Sequence, residues 1–384
     1  MKITDVKVFR MSSVPKDDDW KEGWNWLFVK IYTDSGIHGV GEGSLQFKDH
    51  ALTAEIEEFT KFLIGKDPFA IEYIWNSLYR RVTWTGGALT MSAISAIDLA
   101  LWDIKGKALE VPVYELLGGK VRDKIAVYAN GWFEVADTPE EHAKAALDIV
   151  SKGYKTIKFY PFKGTYVTTP ERINRGVDLV KAVRDAVGPD IQIALDVRGR
   201  VDFWSALQIA EKIEPFNIAW LEEPVQFDNA AVMGEFARKV RVPVSTGEQL
   251  YNRYDFEPLL EEKSVSIIQP DICHAGGMTE LRKIASAAET HYVSVAPHNS
   301  NGPISTVASL HFAVATANAF KQEIFVSFLD RYSAVLTNDI PIKDGFSMPP
   351  DGPGWGTDID EDVLKQFPPT EYTPVESEPY VEFF

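Results

Sequence analysis

The chain has 384 residues, 45% of them hydrophobic and 25% charged, a globular composition long enough for a large barrel plus a smaller domain. A net charge of −17 argues against nucleic acid or an anionic membrane as partner, and a small anionic substrate would need local positive charge from a metal ion or a few placed Lys and Arg. Cys273 is the one cysteine, no basic start leads into an apolar stretch, and no 18 apolar residues run together, so a cytoplasmic protein with no disulfide, signal peptide or membrane span is expected.

The first segment reads as a small antiparallel sheet. Residues 2–10 and 27–32 alternate apolar and polar, Asp34-Ser35-Gly36 supplies a turn, and 37–41 returns. Helical spacing follows at 51–64, 68–82 and 91–108, the last apolar on nearly every face and therefore buried. This is an α+β unit covering residues 1–123.

From about residue 125 short β-rich runs alternate with helical ones. Strands are predicted at 125–130, 155–160, 191–196, 217–222, 243–246, 265–270, 292–297 and 323–327, with helices after most of them. Thr138-Pro139-Glu140-Glu141 opens one helix with a capping box and Pro at its first position. Seven or eight such units imply a parallel α/β barrel over 124–334. Residues 335–384, rich in Pro, Gly and acids, read as irregular chain packing back on the first unit.

Catalytic groups of a parallel barrel stand at the C-terminal ends of its strands. Asp196 ends the third strand, Glu222 the fourth, and Glu248 follows the fifth, successive acids being spaced 26 positions apart. Three carboxylates side by side repel one another unless a cation lies between them, and hard oxygen ligands without Cys or clustered His favour Mg2+ over zinc. Asp271 ends the sixth strand and His298 the seventh, placing a carboxylate where it can orient an imidazole and raise its basicity.

These residues resemble the enolase superfamily, in its mandelate racemase/muconate lactonizing enzyme-like branch. The resemblance extends along nearly the whole chain. It rests on 93–98 (AISAID), 100–107 (ALWDIKGK), Leu116-Leu117-Gly118-Gly119, the three acids and the Asp271–His298 pair. It implies a modified TIM barrel, (β/α)7β, beneath an N-terminal α+β capping domain. Within the branch the chain looks most like the acid-sugar, gluconate-type dehydratases, through 128–132 (YANGW), Gly247-Glu248-Gln249-Leu250-Tyr251 and Pro353-Gly354-Trp355-Gly356.

The resemblance implies a lyase that takes the proton beside a sugar-acid carboxylate and expels the β-hydroxyl, giving a 2-keto-3-deoxy acid, in a homo-oligomer. On it, Asp196, Glu222 and Glu248 hold magnesium, Lys158 faces the substrate carboxylate, and His298 oriented by Asp271 is the base. Glu323 on the last strand donates a hydrogen bond to that carboxylate when protonated. Two positions depart from common patterns. Tyr160 stands where many relatives carry a second Lys. Arg198 stands two residues after the first metal ligand, where many sugar-acid dehydratases have the His that protonates the departing hydroxide; Arg cannot shuttle a proton.

Tyr160 and Arg198 come from adjacent strands, where contact would lower the phenol's pKa; the plainer alternatives are an ordinary barrel-mouth aromatic and a salt bridge from Arg198 to Asp202. Trp24, within the loop 15–26, and Trp84, within 83–87, are candidate lid residues that stack on the sugar. A racemase or epimerase, a lactone cycloisomerase, a hydrolase with two metals and a non-catalytic binding protein are the competing readings.

Overall fold

A computed structural model describes residues 1–14, 23–80, 83–162 and 168–371. Strands β1 (Ile3–Ser12), β2 (Asn25–Thr33) and β3 (His38–Gly43) form an antiparallel meander. Gly36, at φ 84°, makes the turn between β2 and β3. Helices α1 (Asp49–Leu63), α2 (Ile71–Arg80) and α3 (Gly87–Ala108) complete the capping unit.

Helix α3 lies directly on β3, and small residues on both sides allow it. A Cβ on Gly41 would stand 2.0 Å from the Ala96 carbonyl oxygen, and one on Gly39 would stand 2.2 Å from that of Ala100. The other faces of α3 meet α1, α2 and the barrel helix Gly277–Thr290, which explains its all-round apolarity. Among the described helices α3 alone is long and apolar enough to cross a membrane, and 78% of that stretch is buried inside the protein. Polar bonds lock it to the barrel: Trp102 Nε1 donates to Thr279 Oγ1 at 2.9 Å, and the Thr279 amide donates to Asp98 Oδ2 at 3.0 Å.

The barrel strands are β4 (Ile125–Asn130), β5 (Thr156–Phe159), β6 (Gln192–Asp196), β7 (Trp220–Glu222), β8 (Val244–Thr246), β9 (Ile267–Ile268), β10 (Ser294–Val295) and β11 (Gln322–Phe325). They pair in parallel in that order, and β11 returns to pair with β4. A helix follows each strand from β4 to β10, giving (β/α)7β. The seam between β10 and β11 is joined just upstream of β11, where the Val295 amide donates to the Asn318 carbonyl at 2.9 Å and the Phe320 amide to the Val295 carbonyl at 2.7 Å. Tyr128, Ala194, Trp220, Ile267 and Ala296 fill the barrel axis.

Strands β9 and β10 are shorter than the runs 265–270 and 292–297 predict. Flanking residues keep isolated backbone bonds, such as the Gln269 amide to the Thr246 carbonyl. The predicted capping box is present: Thr138 accepts from the Glu141 amide, and Glu141 reaches back to the Thr138 amide. The segment after 335 is more ordered than its composition suggests. A hairpin, β12 (Ile342–Lys343) and β13 (Phe346–Ser347), pairs with the start of β4. Trp355 then inserts into the capping unit, fully buried, with its indole N–H on the Val40 carbonyl at 2.8 Å and its amide on Asp103 Oδ1 at 2.9 Å.

Candidate active site

The strand ends β4 to β11 and the capping unit enclose a cavity of about 510 Å³, lined among others by Asp196, Glu248, His298, Tyr160, Arg198 and Trp24. Asp196 closes β6 and Glu222 closes β7, opposite each other in register, so the parallel ladder itself aligns two of the acids. Glu248 follows β8 after Gly247, whose φ of 133° turns the chain over the rim. Ligand oxygens of Asp196, Glu222 and Glu248 all lie within 4.8 Å of one another.

The electrostatics are those of acids crowded together. Burial pushes the Asp196 carboxyl well above the usual range, and the Glu222 and Glu248 charges push the same way. Burial also raises Glu222, against the pull of Lys158. Glu223, buried and at φ 42°, is a third raised carboxyl, held by Gln249 Nε2 at 2.6 Å and Thr246 Oγ1 at 3.2 Å. A trio of hard oxygen donors at this separation fits a divalent cation such as magnesium, whose charge would offset the crowding.

Lys158 is wholly buried. Its Nζ lies 2.6 Å from Glu222 Oε1 and 2.7 Å from Glu323 Oε1. Burial alone would lower this amine, but the two carboxylates reverse that and hold it well above its ordinary value. Glu323 also accepts Asn130 Nδ2 at 2.8 Å and the Asn299 amide at 2.8 Å. Burial raises Glu323, yet Lys158 and His298 win and its pKa falls. In this arrangement Glu323 is an acceptor to Lys158, Asn130 and the Asn299 amide.

His298 directs Nδ1 to Asp271 Oδ2 at 2.7 Å, and its Nε2 lies 3.5 Å from Glu248 Oε2. A carboxylate at Nδ1 assigns the proton there in the neutral ring and leaves Nε2 for chemistry. Burial lowers the imidazole, but the Glu248 charge and the Asp271 bond push it up to about 10. Asp271 itself accepts the Cys273 amide at 2.7 Å and Asn301 Nδ2 at 2.7 Å.

The Arg198 guanidinium lies over the Tyr160 ring, 5.2 Å from its centroid, so the two side chains do meet. The expected drop in the phenol's pKa does not follow: burial raises it, and Lys158 and Arg198 only partly oppose this. The Tyr160 hydroxyl accepts Asn130 Nδ2 at 2.8 Å. Asp202 is a helix cap, accepting the Trp204 and Ser205 amides.

The tryptophans divide. Trp24 lines the cavity, edge-on to Phe328 with ring centroids 5.4 Å apart. Trp26, within the predicted lid loop, is instead a buried residue of β2, and Trp20 lies outside the described residues. Trp84 is 86% exposed and absent from the cavity lining, because its segment borders a neighbouring space of about 560 Å³ through Thr85, Gly86 and Gly87.

Sequence reading for strand-end acids passed over the amides that hold them. Gln269 Nε2 donates to Glu222 Oε2 at 2.7 Å, and Asn130 ties Glu323 to Tyr160. Asn130 closes β4, so its strand-end position was the available signal. His274, whose Nε2 meets the Glu248 carbonyl, also borders the cavity and stands 3.9 Å from Asp271 through Nδ1.

The fold is that of a capped-barrel enzyme, with the carboxylate trio and the His298–Asp271 pair at the barrel mouth. Residues 141–363 match the family described as enolase C-terminal domain-like, and residues 22–118 match the mandelate racemase / muconate lactonizing enzyme N-terminal domain. The chain belongs to the enolase superfamily, in that branch. It is 37% identical to a D-galactonate dehydratase of Pectobacterium atrosepticum, over 95% of this chain and 94% of that protein. A D-galactonate dehydratase of Ralstonia pickettii is 36% identical over the same shares. Among solved structures, an enolase-superfamily member from Salmonella Typhimurium superposes with TM-score 0.88 at 36% identity, covering 96% of this chain and 98% of that one. A mandelate racemase/muconate lactonizing enzyme-like protein from Roseovarius sp. TM1035 gives 0.89 at 31% identity, covering 96% of each.

Proposed function

We propose that this chain is a magnesium-dependent sugar-acid dehydratase. Such an enzyme removes the C2 proton of an aldonate and the C3 hydroxyl as water, and the resulting enol becomes a 2-keto-3-deoxy acid. The observation that carries the reading is the buried Lys158 ammonium between Glu222 of the carboxylate trio and Glu323 beside the His298–Asp271 pair. The D-galactonate dehydratases at 36–37% identity supply the hydro-lyase class.

Asp196, Glu222 and Glu248 would hold the cation, which supplies positive charge for the substrate carboxylate as the α-proton leaves. Lys158 adds a second, fixed positive charge at the same oxygens, already oriented by two carboxylates and so needing no reorganisation. With a cation on the trio offsetting the Glu248 charge that raises the imidazole, Nε2 of His298 would be free to take the C2 proton, with Asp271 holding the ring and stabilising the imidazolium. Asn130 and Asn299 fix Glu323, and Glu323 fixes Lys158. Arg198 and Arg200 line the cavity and suit the hydroxyls or a second carboxylate of the distal chain. The buried Cys273 suits a reducing compartment such as the cytoplasm.

The test is a screen of D-galactonate, D-gluconate, other aldonates and sugar diacids with magnesium, scoring 2-keto-3-deoxy product. Galactonate and gluconate differ only at C4, so their ratio reports on the distal wall. Inversion at C2 without loss of water would establish an epimerase instead.

A further inference from the structure

Glu42 belongs to the capping unit, yet its carboxylate is buried in the barrel wall. From β3 it accepts the Gly302 amide on Oε1 at 2.5 Å and the Ser305 amide on Oε2 at 2.9 Å. These amides open the helix Pro303–Ala315, whose N-cap, Gly302, has no side chain to satisfy them. An acid from the other unit therefore caps this helix and meets its positive end. Space is reserved for it: a Cβ on Gly302 would stand 2.8 Å from Glu42 Oε1.

The turn held this way is the one that carries His298. Asn301, next to Gly302, donates its Nδ2 to Asp271 Oδ2 at 2.7 Å, the same oxygen that meets His298 Nδ1. Two residues beyond Glu42, the Ser44 amide donates to the Cys273 carbonyl at 3.2 Å, in the loop after Asp271. The end of β3 thus grips both loops of the pair.

We propose that Glu42 is a positioning residue, through which the capping unit sets the turn 299–302 and, by way of Asn301, the alignment of His298 with Asp271. The proposal rests on reading that pair as the acid–base machinery. Burial pushes the Glu42 carboxyl up to about 8, the Ser305 and Gly302 amides pull it down, and the Asp271 charge pushes it up again. A neutral cap such as Ser or Asn would serve the helix alone at smaller desolvation cost.

The experiment uses the full chain with 15N-labelled histidine. Glu42→Gln keeps the shape and loses an acceptor; Glu42→Asp keeps the carboxyl group and withdraws it by one methylene. Both should shift or broaden the His298 Nδ1–H resonance while leaving magnesium affinity within about twofold, since neither touches the carboxylate trio. Turnover should fall about 10-fold or more with little change in KM, as expected for an effect expressed in the transition state. Asn301→Ala should reproduce the loss, and the double variant Glu42→Gln/Asn301→Ala should lose no more than Asn301→Ala alone. An undisturbed His298 resonance in folded Glu42→Gln, or additive losses in the double variant, overturns the proposal. If Glu42→Gln does not fold, an undisturbed resonance in Glu42→Asp beside a displaced one in Asn301→Ala overturns it equally. A chain that dehydrates no sugar acid, yet whose His298 resonance answers to Glu42, defeats the reaction reading and upholds this one.

Discussion

Lys158 Nζ lies 2.6 Å from Glu222 Oε1, so this buried ammonium is bonded to a member of the carboxylate trio. Charge added to or removed from the trio is therefore felt at Lys158 and, through it, at Glu323.

Metal removal gives the first prediction. Chelation should abolish turnover and magnesium should restore it. Glu222→Gln removes one formal charge from the hard-ligand set and should weaken magnesium binding in calorimetry by more than the roughly 10–100-fold that an outer partner is worth. Full turnover in excess chelator would falsify the mechanism.

For the base, His298→Asn should abolish exchange of the substrate α-proton with heavy water while leaving fold and metal binding intact. Asp271→Asn should lose on the order of 10²-fold in the same exchange, because Nδ1 loses its orienting acceptor. Normal exchange in His298→Asn would move the base to Tyr160.

Arg198 is expected to bind and not to shuttle protons. Its backbone amide holds Asp196 Oδ1 at 2.7 Å, and its side chain covers Tyr160. Arg198→Ala should raise KM by about 10-fold or more with a smaller effect on kcat, and Arg198→His should not improve turnover. A collapse of kcat at unchanged KM would contradict this, and so would a gain in Arg198→His.

The two tryptophans separate cleanly in kinetics. Trp24→Ala opens the cavity wall and should raise KM by severalfold, whereas Trp84→Ala, on an 86% exposed side chain, should leave kcat and KM within about twofold. Equal losses in both would show that 83–87 does close over the substrate.

Acid should loosen the attachment of the C-terminal segment. Burial raises Asp358, but hydrogen bonds from His38 and Lys107 and the Lys107 and Lys30 charges outweigh it and hold its pKa well below the usual value. A depressed folded pKa contributes stability that is present above the unfolded value of about 3.9 and is lost as pH falls through the folded one. Asp358→Asn should lower the melting temperature at pH 7 and flatten its decline below about pH 4; an unchanged slope counts against this.

The sequence was most legible where function and periodicity coincide. Asp196 and Glu222 end strands in adjacent register, so a 26-residue spacing was enough to set them side by side. Trp26 and Trp84 were less legible because composition does not say which aromatic faces inward; Trp26 belongs to a buried strand and Trp84 to the surface. Strands β9 and β10 were overdrawn, since apolar runs report burial and not hydrogen-bond pairing. Glu42 left no local trace at all. Its partners lie 260 and 263 residues away, and only the folded chain brings them together.

Trp355 and Val40 stand 315 residues apart and share one hydrogen bond in the heart of the capping unit. During synthesis the residues around Val40 emerge first, but the cleft that receives the indole stays open until almost the whole chain has left the ribosome. The unit made first is thus the last to be sealed. A chain that stops short of residue 355 lacks the indole that fills the apolar core of this unit.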